Sequence, residues 1–217
     1  GVVTIGGRTA TVDAEHGVTI SINGEVLEEG RLPGQPRNIR PRNSAVYQYR
    51  ALPPEVAFSW EAVPRIDRYR FRLARDQAMS DIVVDERIGS RRFEYGGLQD
   101  GTYYWQVSAM DGFMEGPAAG PHTVRLIRDA VPPALQLQAA QLIEGEGTVV
   151  VRGRTDPGAS VYIQGEAIAT AAGNFEQQLS IDPGTTLIVV EAVDRAGNVA
   201  YESQIINTNI TINGGGK

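Results

Sequence analysis

Four groups of residues have types and spacings that could do chemistry. Asp194-Arg195-Ala196-Gly197-Asn198 sets two side-chain oxygens four residues apart, close enough to converge on one cation. The same composition also makes a turn, with Asp accepting backbone N–H bonds and Gly or Asn taking positive φ. Asp156-Pro157-Gly158 and Asp182-Pro183-Gly184 repeat that turn chemistry, and the alternating Asp/Asn ladder and terminal Glu of a dedicated calcium loop are missing, so a turn without metal is expected. The second group is aromatic and apolar. Tyr103, Tyr104 and Trp105 could offer faces to a sugar, but alternation turns Tyr103 and Trp105 inward and leaves Tyr104 outside. Its companions are Phe113 and Met114, in the loop Asp111-Gly112-Phe113-Met114-Glu115-Gly116-Pro117. Apolar residues at a loop tip either contact a partner or the adjoining domain, or cap the end of the core. Third, Arg68, Arg70 and Arg72 form an outward row, with Arg65 and Arg75 near its ends, suited to carboxylates or an acidic polymer. Asp67, Asp76, Asp81, Asp85 and Glu86 lie close by, so pairing across strands on a solvated face is the preferred expectation. Fourth, Asn209-Ile210-Thr211 fits a glycosylation acceptor, a pattern that matters only in a eukaryotic secretory chain.

Other chemistry is limited by composition. The 217 residues include no Cys, hence no thiol nucleophile or thiolate metal site, and His16 and His122 are little material for a Ser-His-Asp centre. No glycine-rich loop opens a helix to cradle a phosphate, and the many carboxylates cannot be assigned to one cleft by spacing. No enzyme activity, no cofactor and no metal are expected. Net charge is −6, distributed as 6 basic and 5 acidic residues over 1–52, 10 and 12 over 53–130, and 4 and 9 over 131–217. No part has the basic excess that phosphate neutralisation needs, so nucleic acid is not an expected partner. No apolar run approaches the roughly 20 residues that cross a bilayer, and membrane insertion is not expected. The opening Gly1-Val2-Val3, without Met or leader, fits a mature or excised fragment.

The elements that must position these residues are strands. Runs rich in Val, Ile, Thr and Tyr alternate with Gly, Pro, Asn and Asp every eight to twelve residues or so, the spacing of β-sandwiches. The best helical candidate, Pro132 to Ile143, contains Leu135-Gln136-Leu137-Gln138, which alternates as a strand does. Arg31 to Pro41 has too many missing N–H donors for a central strand and reads as an extended linker, and Asp129 to Pro133 reads as a second boundary. Three segments result: 1–52, 53–130 and 131–217. In the middle one Val56, Phe58 and Trp60, then Tyr69, Phe71 and Leu73, then Tyr103, Trp105, Val107 and Ala109 are expected to face inward; Ile82 to Glu86, Arg92 to Tyr95 and Thr123 to Ile127 complete the sheets.

These residues carry a resemblance. Trp60 in an early strand, Tyr69 on the next, Leu98 before the corner and the run Gly101-Thr102-Tyr103 through Ala109 resemble a fibronectin type III domain over about residues 53 to 128, with Tyr103 in the place of the corner tyrosine. The resemblance implies a seven-stranded antiparallel sandwich without intrinsic catalytic activity. Residues 133 to 206, from Val149-Val150-Val151-Arg152-Gly153 through Asp156-Pro157-Gly158 and Gly173-Asn174-Phe175 to Asp194-Arg195-Ala196-Gly197-Asn198, resemble bacterial Ig-like modules of envelope and extracellular proteins. The N-terminal stretch, with Gly6-Gly7, Asn23-Gly24 and Leu32-Pro33, is similar to the closing strands of a FecR-type domain; an ordinary hairpin turning at Asn23-Gly24 is the equal alternative.

The expected architecture is all-β: tandem antiparallel sandwiches, fibronectin type III-like then Ig-like, after an N-terminal β segment. The expected function is that of a monomeric, non-catalytic spacer and protein-binding scaffold in the periplasm, envelope or extracellular space of a bacterium, with an envelope protein or cell-wall glycan as partner. Carbohydrate or peptidoglycan binding through Tyr104, Phe113 and Met114, and FecR-like envelope signalling, are the alternatives.

Overall fold

A computed structural model describes residues 2–5, 8–11, 15–21, 25–143 and 147–208. The Gly6-Gly7 and Asn23-Gly24 turns, the Gly-rich tail and the acceptor pattern at Asn209 lie outside the described residues. Every regular element among the described residues is a strand. The chain forms two compact units, Gly1–Tyr47 with Pro53–Ile127, and Gln48–Leu52 with Arg128–Lys217.

In the first unit, β1 (Val2–Ile5) pairs with β2 (Arg8–Thr11), and β3 (His16–Ile20) pairs with β4 (Val26–Arg31), His16 lying opposite Arg31. The sandwich is built from β5 (Ala45–Tyr49), β6 (Val56–Ser59), β7 (Arg68–Ala74), β8 (Ile82–Ile88), β9 (Arg92–Tyr95), β10 (Gly101–Asp111), β11 (Met114–Glu115) and β12 (Ala119–Arg128). One sheet runs β5-β12-β10-β7-β8 with β11 on β10, and β6 and β9 form the other. Alternation explains the packing: Tyr103, Trp105, Val107 and Ala109 of β10, and Tyr69, Phe71 and Leu73 of β7, are all buried. Their rings meet those of β6 and β9, with Phe58 4.9 Å from both Phe71 and Trp105, and Phe71 4.4 Å from Phe93. Burying Phe58 or Phe71 stabilises by about 2–3 kcal/mol through transfer from water alone. Leu98 is buried just before the corner, and the Tyr103 hydroxyl donates to the Gln99 carbonyl at 3.2 Å. The tyrosine corner that the resemblance implies is present.

The end of the stretch Arg31 to Pro41, expected as an extended linker, is bonded to the sandwich, and the residues after it form a strand of the sheet. Arg40 and Ser59 exchange both backbone bonds at 2.8 Å, the Glu61 N–H donates to the Arg37 carbonyl at 2.9 Å, and β5 joins the sheet beside β12. Proline removes a donor and bars a central strand, yet it is tolerated along a sheet edge. These residues lie along the edges of the sandwich.

The second unit contains β13 (Leu135–Leu137), β14 (Gln141–Ile143), β15 (Thr148–Thr155), β16 (Ser160–Ile163), β17 (Glu166–Ile168), β18 (Asn174–Ser180), β19 (Gly184–Val193) and β20 (Val199–Thr208). Its sheets are β13-β15-β14, with β18 also on β15, and β17-β16-β19-β20. Val149, Val151, Val161, Ile163, Phe175, Ile188 and Val190 form the core. The stretch expected as one strand near Leu135 is two, interrupted at residues 138–140. There the Gln204 side chain satisfies the backbone, donating to the Gln138 carbonyl at 2.7 Å and accepting from the Ala140 N–H at 2.9 Å.

Candidate binding site

Strand β7 carries Arg68, Arg70 and Arg72 on the outward face. The Arg70 guanidinium grips Asp85 on β8 with two bonds, Nε to Oδ1 at 2.7 Å and Nη2 to Oδ2 at 2.6 Å, while Nη1 donates to Glu115 Oε2 at 2.9 Å. Arg72 reaches the other Glu115 oxygen at 3.6 Å, and the Ser108 hydroxyl donates to that oxygen at 2.5 Å. Hydrogen bonding from Arg70 holds Asp85 below the ordinary carboxylate range. Burial pushes Glu115 upward, but the Ser108 and Arg70 bonds outweigh it and leave the group lowered. Both carboxylates raise Arg70 further above its already high value. Arg75 pairs with Asp81 at 3.2 Å, while Asp76 accepts from the Ser80 hydroxyl and from the N–H groups of Ser80 and Asp81, closing the loop after β7. Arg70 and Arg72 are thus engaged within the sheet; Arg68 is exposed. Glu115 was invisible as their partner in the sequence, because a two-residue strand 45 positions from Arg70 gives no local signal.

Tyr104, Phe113 and Met114 do not form one platform. Tyr104 is half-buried on β10, opposite Ala74 and Thr123. At about 3.4 Å per residue it stands some 20 Å along the strand from the turn that carries Phe113. Phe113 is 77% exposed, whereas Met114 is 8% exposed. The Met114 side chain occupies the space where residues 17 and 30 have none. A Cβ on Gly30 would lie 2.9 Å from its methyl, and one on Gly17 would lie 3.6 Å from its sulfur. Met114 therefore packs against the hairpin of β3 and β4 within the first unit.

Beside Met114 opens a cleft of about 970 Å³. Three arginines line it, each on a different stretch of chain: Arg31 at the end of β4, Arg37 on the sheet edge and Arg65 in the turn Val63-Pro64-Arg65-Ile66. The Ile66 N–H donates to the Val63 carbonyl at 3.1 Å to close that turn, and the Val63 N–H donates to the hydroxyl of buried Tyr69 at 3.0 Å. Arg65 sits at φ +66°, a conformation that favours glycine. Arg31 pairs with Glu15 at 2.7 Å, both side chains largely exposed. Of the three arginines, sequence spacing brings only Arg65 forward; the convergence comes from the fold.

In the second unit Asp194 organises a turn. Its Oδ1 accepts the N–H groups of Ala196 and Asn198, both at 2.8 Å, and Oδ2 accepts from Asn198 Nδ2 at 2.9 Å. The buried Asn198 amide also donates to the Asp129 carbonyl at 2.9 Å. Burial pushes Asp194 up, and these bonds more than offset it, leaving the group lowered. Both carboxylate oxygens are taken by N–H donors, as a turn requires. In the first unit His122 lies against Trp105, ring centres 5.4 Å apart, and burial lowers its pKa.

No family model matches the chain. Over 67 residues, 31% of this chain, it is 34% identical to an uncharacterised protein of Treponema pallidum (strain Nichols), and the match spans about a tenth of that relative's length, 10%. Among solved structures, it is similar to the fibronectin(III)-like modules of Clostridium thermocellum CbhA, with 14% identity, 79% of this chain and 93% of that one covered, and a TM-score of 0.55. For the FN1-FN3 domains of chicken CNTN1 the values are 11%, 86%, 69% and 0.48. Identities this low speak to fold alone, and the CbhA likeness carries that point. The chain is an all-β protein of antiparallel β-sandwiches with the fold of fibronectin(III)-like modules.

Proposed function

We propose that the chain is a non-catalytic structural and protein-interaction segment of a bacterial envelope or exported protein, serving as spacer and scaffold. One observation carries this reading. Charged side chains are bonded to strand neighbours or turn N–H groups: Arg70 to Asp85 and Glu115 and Arg152 to Glu176 across the sheets, while Asp76 and Asp194 accept N–H groups in loops. Their chemistry is spent on fixing strands and turns. The much longer Treponema relative supports a modular segment, and the resemblance to bacterial Ig-like modules supports an exported location. A carbohydrate platform would need several aromatic faces together, and Tyr104 stands apart from Phe113. Signalling would rest on the FecR-like N-terminal resemblance alone. The test is cross-linking in native cells with photo-reactive groups at positions 104, 113 and 70. Cross-links concentrated on an envelope protein support the scaffold, whereas cross-links confined to glycan overturn it.

A further inference from the structure

The geometry points to the cleft beside Met114 as a binding site for an acidic peptide segment of a partner protein, carboxylates on Arg31, Arg37 and Arg65 and an apolar side chain between them. This inference rests on the interaction-scaffold reading and names the partner's chemistry. Guanidinium forks match carboxylates bidentately, and the three arginines stand on backbone that is already fixed. Arg31 ends a paired strand, the Arg37 carbonyl is bonded to the Glu61 N–H, and the Arg65 turn hangs on Tyr69. Such preorganisation lowers the ordering cost of binding. Among the described residues, no side-chain ion pair involves Arg37 or Arg65, and both are exposed. The Glu15 carboxylate on Arg31 shows the kind of group the site accepts, in an exposed pair that a ligand carboxylate can displace.

Two further observations favour a peptide. Leu32, Pro64, Ile66 and Pro117 give the cleft accessible apolar lining and Asp111 adds one acidic group, so a peptide with apolar side chains between its carboxylates suits it better than a chain of carboxylates alone. None of the residues lining it is aromatic, so neither a sugar ring nor a nucleobase has a face to stack on. Arg65 itself is placed at a cost. A side chain at φ +66° forfeits about 1 kcal/mol that glycine would not.

The test uses the whole chain and a short fluorescein-labelled peptide alternating Glu with Leu, read by anisotropy against Gln/Leu and Lys/Leu counterparts. The Glu peptide is expected to bind at least about tenfold more tightly than either control, and to weaken as salt rises. Arg37→Gln with Arg65→Gly should weaken it about tenfold or more, while Glu15→Gln tightens it about twofold. Arg65→Gly should leave the melting temperature unchanged or raise it, which separates lost binding from lost fold. Equal binding of the Glu and Gln peptides, unchanged affinity in the double variant, or stronger binding of heparin or a single-stranded oligonucleotide overturns the proposal. The scaffold reading fails separately, because cross-links from positions 104, 113 and 70 report partners whatever occupies the cleft.

Discussion

Arg70 Nη1 donates to Glu115 Oε2 at 2.9 Å, fastening the middle of β7 to the two-residue strand β11. The same guanidinium holds Asp85 on the other side, so a single arginine ties β8, β7 and β11 across one sheet face. Replacing Glu115 with Gln should lower stability by about 1 kcal/mol, a modest loss because the pair is partly exposed. Glu115 and Asp85 are both lowered by folding, so their contribution is complete above the unfolded carboxylate range. It is lost as pH falls through their depressed folded values. Melting temperatures followed from neutral to acid pH should fall more steeply for the wild type than for Glu115→Gln.

Phe71 lies against Phe58, Phe93, Trp60 and Trp105 and is fully buried. Phe71→Ala should destabilise the first unit by about 4 kcal/mol, since the ring's transfer energy is lost and a cavity remains. Amide hydrogen exchange in β7 and β10 would read the loss.

Gly165 and Gly173 have nearly the same backbone, φ +84° and +86°, in different surroundings. A Cβ at 165 meets nothing within 4 Å, whereas one at 173 would overlap the Thr155 carbonyl oxygen. Gly165→Ala should therefore cost about 1 kcal/mol from the backbone alone and Gly173→Ala about 3 kcal/mol. Urea unfolding of the two variants checks the ranking; equal losses would mean that the Thr155 carbonyl gives way freely.

Asp194→Ala removes the acceptor of three donors, two of them on buried Asn198, and should cost about 2 kcal/mol. Because both carboxylate oxygens are already bonded, millimolar calcium should move the wild-type melting temperature by no more than about 1 °C. A rise of several degrees would instead assign Asp194 and Asn198 to a cation.

The sandwich is legible in the sequence where one face is buried and the other wet. Tyr103, Trp105 and Val107 alternate with the half-buried Tyr104 and Gln106, the period-two signature of a strand, although Ser108 and Met110 beyond them are buried as well. The Asp194 turn is legible for a related reason: Asp, Gly and Asn do their work within five residues. The pairing of Arg37 and Arg40 is not, because Pro33, Pro36 and Pro41 carry a real local preference for a linker while the bonds to Ser59 and Glu61 come from a distant stretch of chain. Met114 hides in the same way. Its burial depends on two glycines more than eighty positions earlier, and a glycine announces what it lacks only when the neighbour is known. The three cleft arginines come from separate elements, so no spacing rule gathers them.

Both tryptophans, Trp60 and Trp105, are buried in the first unit, while the second has tyrosine and no tryptophan. The chain thus carries a native optical label on one module. Indole emission follows the fibronectin-like sandwich alone, whereas far-ultraviolet circular dichroism follows both. The separation between the two denaturation curves would measure how far the modules unfold independently, with no dye, tag or dissection of the chain.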